Sequence, residues 1–277
     1  MSRRPGLRER KGFMTKGTRA RSKKIAVTPP GVKSSSEDGN RAENAWAEFL
    51  DRLVHDLREP LRTINAFSEL LHEMANDRLG AEGQEVVSEI LSGTIRIRGL
   101  IDGVSAYSSA LRAPGSPASD GASLQSAFNI TLATLGDQID AEGATVSGIA
   151  VTGIEAMEDD PQPRVAVSLE RLMQLFENVI GNSLRFRSEA PPVITVAARQ
   201  QQPGQWTIEV TDNGIGIDPA DCEAVFKPFM RVQGRQYGGS GLGLSVCRKI
   251  VETHGGSIQI APRPHGGAVC TFTLPSA

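Results

Sequence analysis

Between Ala45 and Met74 apolar residues return every three or four positions: Phe49, Leu53, Leu57, Ile64, Phe67, Leu71 and Met74, with Leu61 and Leu70 beside them. That period predicts one long amphipathic helix. Pro60 lies inside it and is expected to kink it. The run NDRLGAEG reads as a turn, and a second helical stretch follows through Val86, Ile90, Ile97, Leu100, Ile101 and Val104. Two helices of similar length on a short link make an antiparallel hairpin. Its apolar surface is too large for a hairpin standing alone, and pairing two hairpins into a four-helix bundle would bury it.

Residues 112–123, RAPGSPASDGAS, have the composition of a linker. Beyond them helix and strand patterns alternate. Leu124 to Ile139 reads as a helix and ATVSGIAV as a strand. Ser168 is placed to cap a helix running through Leu172, Leu175, Phe176, Val179, Ile180 and Leu184. VITVAARQ and QWTIEVTD alternate like neighbouring strands, GLGLSVCRKIVETHG reads as a helix closed by Gly255, and GSIQIAP and GAVCTFTLP make a final strand pair. This is a layered arrangement with helices over one face of a sheet. The expected organisation is a tail (1–43), a helical hairpin (44–112), a linker (113–123) and a sheet-containing domain (124–277).

Composition changes the picture only at the N-terminus. RRPGLRERKGFMTKGTRARSKK is basic, with almost no apolar periodicity, and cannot bury enough surface to offset its ordering entropy. It reads as a disordered tail that is either an idle solvated segment or a contact for nucleic acid or an acidic partner. The whole chain has a formal net charge of −2, so a protein that coats nucleic acid is not expected. Cys222, Cys247 and Cys270 form no paired framework, which fits a reducing compartment. No apolar run is long enough to span a bilayer and no signal core follows the charged start, so a cytoplasmic location is expected.

Candidate chemistry comes in separated stretches. HDLREPLR puts His55 beside Asp56 on the first helix; such a histidine could be a general base, a metal ligand or a phosphoryl acceptor. No Glu-x-x-His pattern accompanies it, which argues against zinc. FENVIGNSLRF places Asn178 and Asn182 four apart on one helical face. Amides on an otherwise apolar helix are costly unless they bind something, and Asn is a fair oxygen ligand for hydrated Mg2+. In VTDNGIGIDP, Asp212 ends a strand where its carboxylate could accept from an exocyclic amine, and Gly214 and Gly216 let backbone approach a flat ring. FKPFMRVQGRQYGGSGLGL supplies two phenylalanines and then a glycine-rich helix start suited to a phosphate. Neither a dinucleotide fingerprint nor a P-loop is present.

Taken together, these stretches resemble the catalytic core of a bacterial two-component sensor histidine kinase. HDLREPLR is similar to its H box, ENVIGNSLRF to the N box, DNGIGI to the G1 box, FKPFMR to the F box and GGSGLGL to the G2 box. The boxes follow the family's order, the likeness spans about residues 44 to 277, and the wording is nearest the phytochrome-associated branch. The resemblance implies an α+β protein: a dimeric helical hairpin followed by a Bergerat-type α/β sandwich that binds ATP. It also implies a role for each matching residue. His55 would be the phosphoacceptor, and Asp56 would orient its imidazole. Asn182 would hold Mg2+ with Asn178 in support, and Arg185 would lie near the phosphates. Asp212 would bind the adenine amine, Gly214 and Gly216 would lie against the ring, and Phe226 and Phe229 would anchor a lid. Gly239, Gly241, Leu242 and Gly243 would form the phosphate cradle. The implied partners are a second copy of the chain, the receiver domain of a response regulator and a separate sensor protein.

The chain departs from the family pattern at Glu59, four residues after His55, where many relatives with phosphatase activity carry Thr or Asn. It departs again at Ser168, which replaces a frequent Asp, and no input domain is expected from the short polar tail. The slot four residues before Asn182, filled by Glu in ATP-hydrolysing relatives of the fold, holds Asn178, so Glu177 beside it is not read as a hydrolytic base. Structural roles are expected for His72, His254, His265, Trp46, Trp206, Cys247 and Cys270. The competing reading is a non-catalytic histidine phosphotransfer or scaffold protein whose ATP domain has degenerated.

Overall fold

The computed structural model describes residues 36–75, 79–112, 121–152, 163–233 and 237–277. The tail up to residue 35, most of the linker and the middle of the expected lid (234–236) lie outside the described residues.

Helix α1 (Ser36–Ala75) and helix α2 (Ala81–Leu111) form the expected hairpin. The first described residue of α1, Ser36, lies ahead of the expected boundary at residue 44. Helical assignment continues unbroken through Pro60. Ala47, Val54, Leu61 and Ser68 on α1, and Val87, Thr94, Ile101 and Ser108 on α2, are all buried. Each set recurs every seven residues, the spacing that keeps one seam of two long helices in contact. Polar rungs run beside that seam with the same period. Ser108 Oγ donates to Asp51 Oδ1 (2.7 Å) and Arg112 pairs with the same carboxylate. Arg58 pairs with Asp102 at 3.1 Å, and Thr94 donates to Asn65 Oδ1 at 2.9 Å. A slide by one helical turn would break every rung, so the rungs pin the register.

Most of the apolar residues that defined the helix period are not in this seam. Phe49, Leu53, Leu57, Ile64, Phe67, Leu71 and Met74 of α1, with Val86, Ile90 and Ile97 of α2, remain exposed.

The C-terminal lobe starts with β1 (Ala122–Ser123), α3 (Leu124–Thr134), α4 (Gly136–Ala141), β2 (Thr145–Thr152) and β3 (Arg164–Val165). The single helix expected over 124–139 is broken at Leu135, which sits at φ −92°, ψ 4° immediately before Gly136. Strands β1 and β3 pair over two residues, too few to leave a periodic signal. Helix α5 (Leu169–Arg185) is capped by Ser168, whose Oγ accepts from Arg171 N–H at 3.3 Å. Strands β4 (Val193–Gln202) and β5 (Gln205–Thr211), helix α6 (Gly243–Thr253), and strands β6 (Ile258–Pro262) and β7 (Ala268–Pro275) complete the lobe.

The main sheet has the order β2-β4-β5-β7-β6, with β2 parallel to β4 and the other pairs antiparallel. Ile194, Val196 and Ala198 of β4 face inward, while Val193, Thr195 and Arg199 face out. Helices α3, α5 and α6 contribute to one core, in which Phe176 meets Phe128 and Phe272 edge-on at 5.8 and 6.3 Å. Trp206, Cys247 and Cys270 are buried in it. The hairpin and this lobe touch. Lys249 of α6 binds both carboxylate oxygens of Glu43 (2.6 and 2.7 Å), and Arg171 of α5 donates to Ser109 Oγ of α2 at 3.0 Å. No helix among the described residues is long and apolar enough to cross a membrane.

Candidate functional site

His55 and Asp56 are adjacent on an exposed stretch of α1, where consecutive residues ordinarily diverge by about 100°. Here the two side chains fold towards each other, with His55 Nδ1 3.3 Å from Asp56 Oδ1. An Nδ1–H donated to that carboxylate leaves Nε2 as the free, nucleophilic nitrogen. Pro60 has no amide hydrogen, so the Asp56 carbonyl loses its ordinary helical donor.

The second half of the site is a cleft between α5, the end of β5 and the segment leading into α6. Its apolar end is lined by Val179, Phe186, Ile217, Val225, Ile260 and Cys270, with Asp212 among them. Its polar end is lined by Arg185, Arg231, Gly238, Gly241 and Gly243. Asn182 borders both ends and therefore stands at their junction. The apolar end accommodates a flat ring with one polar anchor, and the polar end is suited to an anion.

Asp212 is held in place by its own turn. Its Oδ1 accepts from the backbone of Gly214 (2.9 Å) and Ala268 (3.1 Å), and its Oδ2 accepts from Ser183 Oγ (3.1 Å). A carboxylate oxygen takes about two donors, so Oδ2 keeps one open position. Arg263 Nη1 donates to the Asp212 carbonyl at 2.9 Å. Burial pushes the Cys270 thiol up to about 12, with the Asp212 charge adding to the effect.

The glycines do not all do what their motifs imply. A Cβ on Gly214 would lie 2.3 Å from the Phe186 carbonyl oxygen, so backbone packing by itself already requires glycine there. Gly216 does line the cleft, and Gln233 Nε2 donates to its carbonyl at 3.0 Å. A Cβ on Gly243 would meet Asn178 Oδ1 at 2.5 Å, and one on Gly239 would meet Arg185 Nη1 at 2.8 Å. These two positions make room for the side chains opposite them. Leu242 is fully buried and precedes the first residue of α6.

The two phenylalanines of FKPFMR separate. Phe226 is buried, with the Arg248 guanidinium 4.2 Å above its ring. Phe229 is 53% exposed and has a positive φ of 61°, so its ring does not serve as an anchor in this structure. Its backbone is what matters locally, because the Phe229 carbonyl carbon and the Met230 oxygen lie against Gly241.

Asn178 Nδ2 donates to the Gln174 carbonyl (2.8 Å), and Asn182 Oδ1 accepts from Arg185 Nη1 (3.3 Å). Arg185 keeps part of its surface open to solvent, yet desolvation of the guanidinium, with the like charge of Arg231 second, pulls its pKa down. Burial raises the pKa of Glu177. Ser183, Arg231, Gln233 and Arg263 belong to this site without having been singled out in the sequence. Ser183 carried one usable signal, a hydroxyl on the apolar face of an amphipathic helix directly after Asn182. His254, with Nδ1 2.7 Å from the Ile250 carbonyl, and the exposed His72 and His265 lie outside the site.

Comparison with known proteins bears on both halves. Residues 45–111 match the His Kinase A (phospho-acceptor) domain, and residues 168–277 match the histidine kinase-, DNA gyrase B- and HSP90-like ATPase domain. Cyanobacterial phytochrome A of Nostoc sp. is 35% identical over 241 residues, covering 87% of this chain and 30% of that protein. The chain thus spans under a third of the length of that relative. Two solved structures share the fold. Full-length ShkA in complex with AMPPNP has a TM-score of 0.64 at 22% identity, covering 83% of this chain and 46% of that one. ThkA in complex with the response regulator protein TrrA has a TM-score of 0.56 at 17% identity, covering 87% of this chain and 66% of that one.

Proposed function

The chain belongs to the sensor histidine kinases, with residues 45–111 in the phospho-acceptor domain family and 168–277 in the ATPase family, and from that premise we propose that it phosphorylates its own His55 with ATP. Residues 44–112 serve as the dimerisation and phosphotransfer hairpin, and residues 124–277 serve as the ATP-binding lobe. The observation that supports this most is the two-ended cleft, in which Asn182 stands between an apolar end anchored by Asp212 and a polar end carrying Arg185 and Arg231.

The adenine sits at the apolar end with its exocyclic amine donating to Asp212 Oδ2. The phosphates lie at the polar end against Arg185 and the backbone of Gly239, Gly241 and Gly243. Asn182 Oδ1, supported by Asn178, is the ligand available to Mg2+, which when bound supplies neutralisation of the developing phosphate charge. His55 Nε2 attacks the γ-phosphorus, the bond to the bridging oxygen of ADP breaks, and the Nδ1 proton stays shared with Asp56. Phosphoryl transfer of this kind is mostly positioning and charge neutralisation. The phosphoryl group then passes to an aspartate of a receiver domain docked on the hairpin. The ThkA complex, a protein of the same fold bound to a response regulator, supports that step. The exposed apolar stripe on α1 and α2 is the surface on which a second copy closes the four-helix bundle. Glu59 puts a carboxylate at the position where the resemblance would put an amide or hydroxyl to orient a hydrolytic water, so regulator dephosphorylation is left out of this reading.

Incubation with labelled ATP and Mg2+ tests it. Acid-labile, base-stable label is expected on the wild-type chain and none on His55→Gln. A wild-type chain that takes no label from ATP, yet accepts phosphate from a charged regulator, would establish the scaffold reading instead.

A further inference from the structure

Helix α2 contains glycines at positions 83, 93, 99 and 103, although glycine is the poorest helix former after proline. A Cβ on Gly83, in the first turn, would meet only Leu79 just ahead of the helix, at 3.1 Å. Nothing lies within 4 Å of a Cβ built on Gly99, and one on Gly93 would see only Arg96 Nη2 at 3.8 Å. Gly103 differs. A Cβ there would lie 2.7 Å from Ser240 Oγ, 3.0 Å from Ser240 Cβ and 3.1 Å from Leu242 Cδ1. Ser240 and Leu242 flank Gly241 at the polar end of the nucleotide cleft, and Ser240 Oγ also accepts from Leu242 N–H at 3.3 Å. The missing side chain of Gly103 is therefore a notch in the hairpin that receives the phosphate-side end of the lid.

The notch lies at about the level of His55 along the hairpin. Val54 and Ile101 belong to one core cluster of the antiparallel hairpin. His55 is one residue past the first and Gly103 two past the second, so the two lie within about one helical turn along the axis. Two further tethers, Lys249 to Glu43 and Arg171 to Ser109, hold the same lobe against the same helices.

We infer that Gly103 is a positioning residue for autophosphorylation: it seats the lid segment Ser240–Leu242 on the hairpin and so sets the phosphates at the level of His55. This rests on the kinase reading above. The full chain with Gly103→Ala tests it, alongside Ser240→Gly and the double variant, through kcat and KM for ATP and thermal melting. Gly103→Ala is expected to lower kcat by about tenfold or more, with KM for ATP within about twofold, because misplacement by about 1 Å costs rate and not ground-state affinity. Its melting temperature should hold or rise, since alanine is the better helix former. In the Ser240→Gly background the same alanine should cost far less, because the two nearest atoms, Ser240 Oγ and Cβ, are gone and only Leu242 Cδ1 at 3.1 Å remains. A kcat unchanged by Gly103→Ala overturns the inference. So does a higher kcat, which would mean the contact parks the lobe, or a loss of equal size in the Ser240→Gly background. A wild-type chain that takes no label removes the kinase reading and this inference together.

Discussion

Replacing Asp212 by Asn probes the cleft at its anchor without changing its size. The two backbone donors at Oδ1, Gly214 and Ala268, force the amide oxygen of the variant into that position, so the amide nitrogen takes the place of Oδ2. Ser183 Oγ, 3.1 Å away, can switch from donating to accepting, so the internal hydrogen bonds survive and melting should shift little. The nucleotide is affected differently. An adenine amine that donated to a carboxylate now faces another donor. Losing one hydrogen bond to a charged acceptor costs about 1.5–3 kcal/mol, or about 10- to 150-fold in Kd. Calorimetry with a non-hydrolysable ATP analogue and Mg2+ reads that change directly. Guanine carries a carbonyl where adenine carries the amine, so the variant should lose less affinity for the corresponding GTP analogue, or gain some. If Asp212→Asn binds the ATP analogue within about twofold of wild type while melting normally, the carboxylate does not touch the base. Equal weakening for both purines would be just as damaging to the reasoning.

Two predictions concern the scaffold that holds the site. Ser168→Ala removes the oxygen that accepts from Arg171 N–H and should lower stability by about 1 kcal/mol, seen as a lower urea midpoint with an unchanged slope. The Cys270 thiol, pushed from 9.0 to about 12 in the folded chain, gives a pH dependence of definite sign. Above the unfolded value the native state holds a proton that the unfolded state has released, so this contribution is intact below pH 9.0 and is lost as the pH rises towards about 12. Cys270→Ala should flatten the fall in urea midpoint across that window; an identical slope in the variant would assign the fall to other groups.

What the residue pattern made legible was local. The Ser168 cap, the alternation of β4 and the adjacency of His55 and Asp56 are each carried within a few neighbouring positions, and each is where the pattern put it. What escaped depends on distant contacts. Nothing near Gly214 announces that its lost side chain makes room for the Phe186 carbonyl, because those residues meet only once β5 ends against the C-terminus of α5. Phe229 looks like Phe226 in sequence, yet one ring is buried beneath Arg248 and the other is turned outward by a left-handed backbone. The break at Leu135 was hidden because the apolar period continues across it. The parallel pairing of β2 with β4 had no sequence signal, since alternation specifies a face and not a neighbour.

The same local costs bear on whether the C-terminal lobe still uses its cleft. A chain that only docked regulators would need the hairpin and a stable cap on it. This lobe instead keeps several arrangements that a bare cap would not need. Desolvation first, and the like charge of Arg231 second, hold the Arg185 pKa down, and an anion between the two guanidinium groups would offset both. Asn178 turns its Oδ1 towards Gly243, at a helix start where glycine is a poor choice on propensity grounds. Gly238, Gly239 and Gly241 hold positive φ, a conformation that glycine adopts at a greater entropic cost on folding than other residues. These features are concentrated at the polar end of the cleft, where bound phosphates would offset the two positive charges. The charge at that end has a counterpart in a triphosphate, which favours a working nucleotide site over a relic carried by the hairpin.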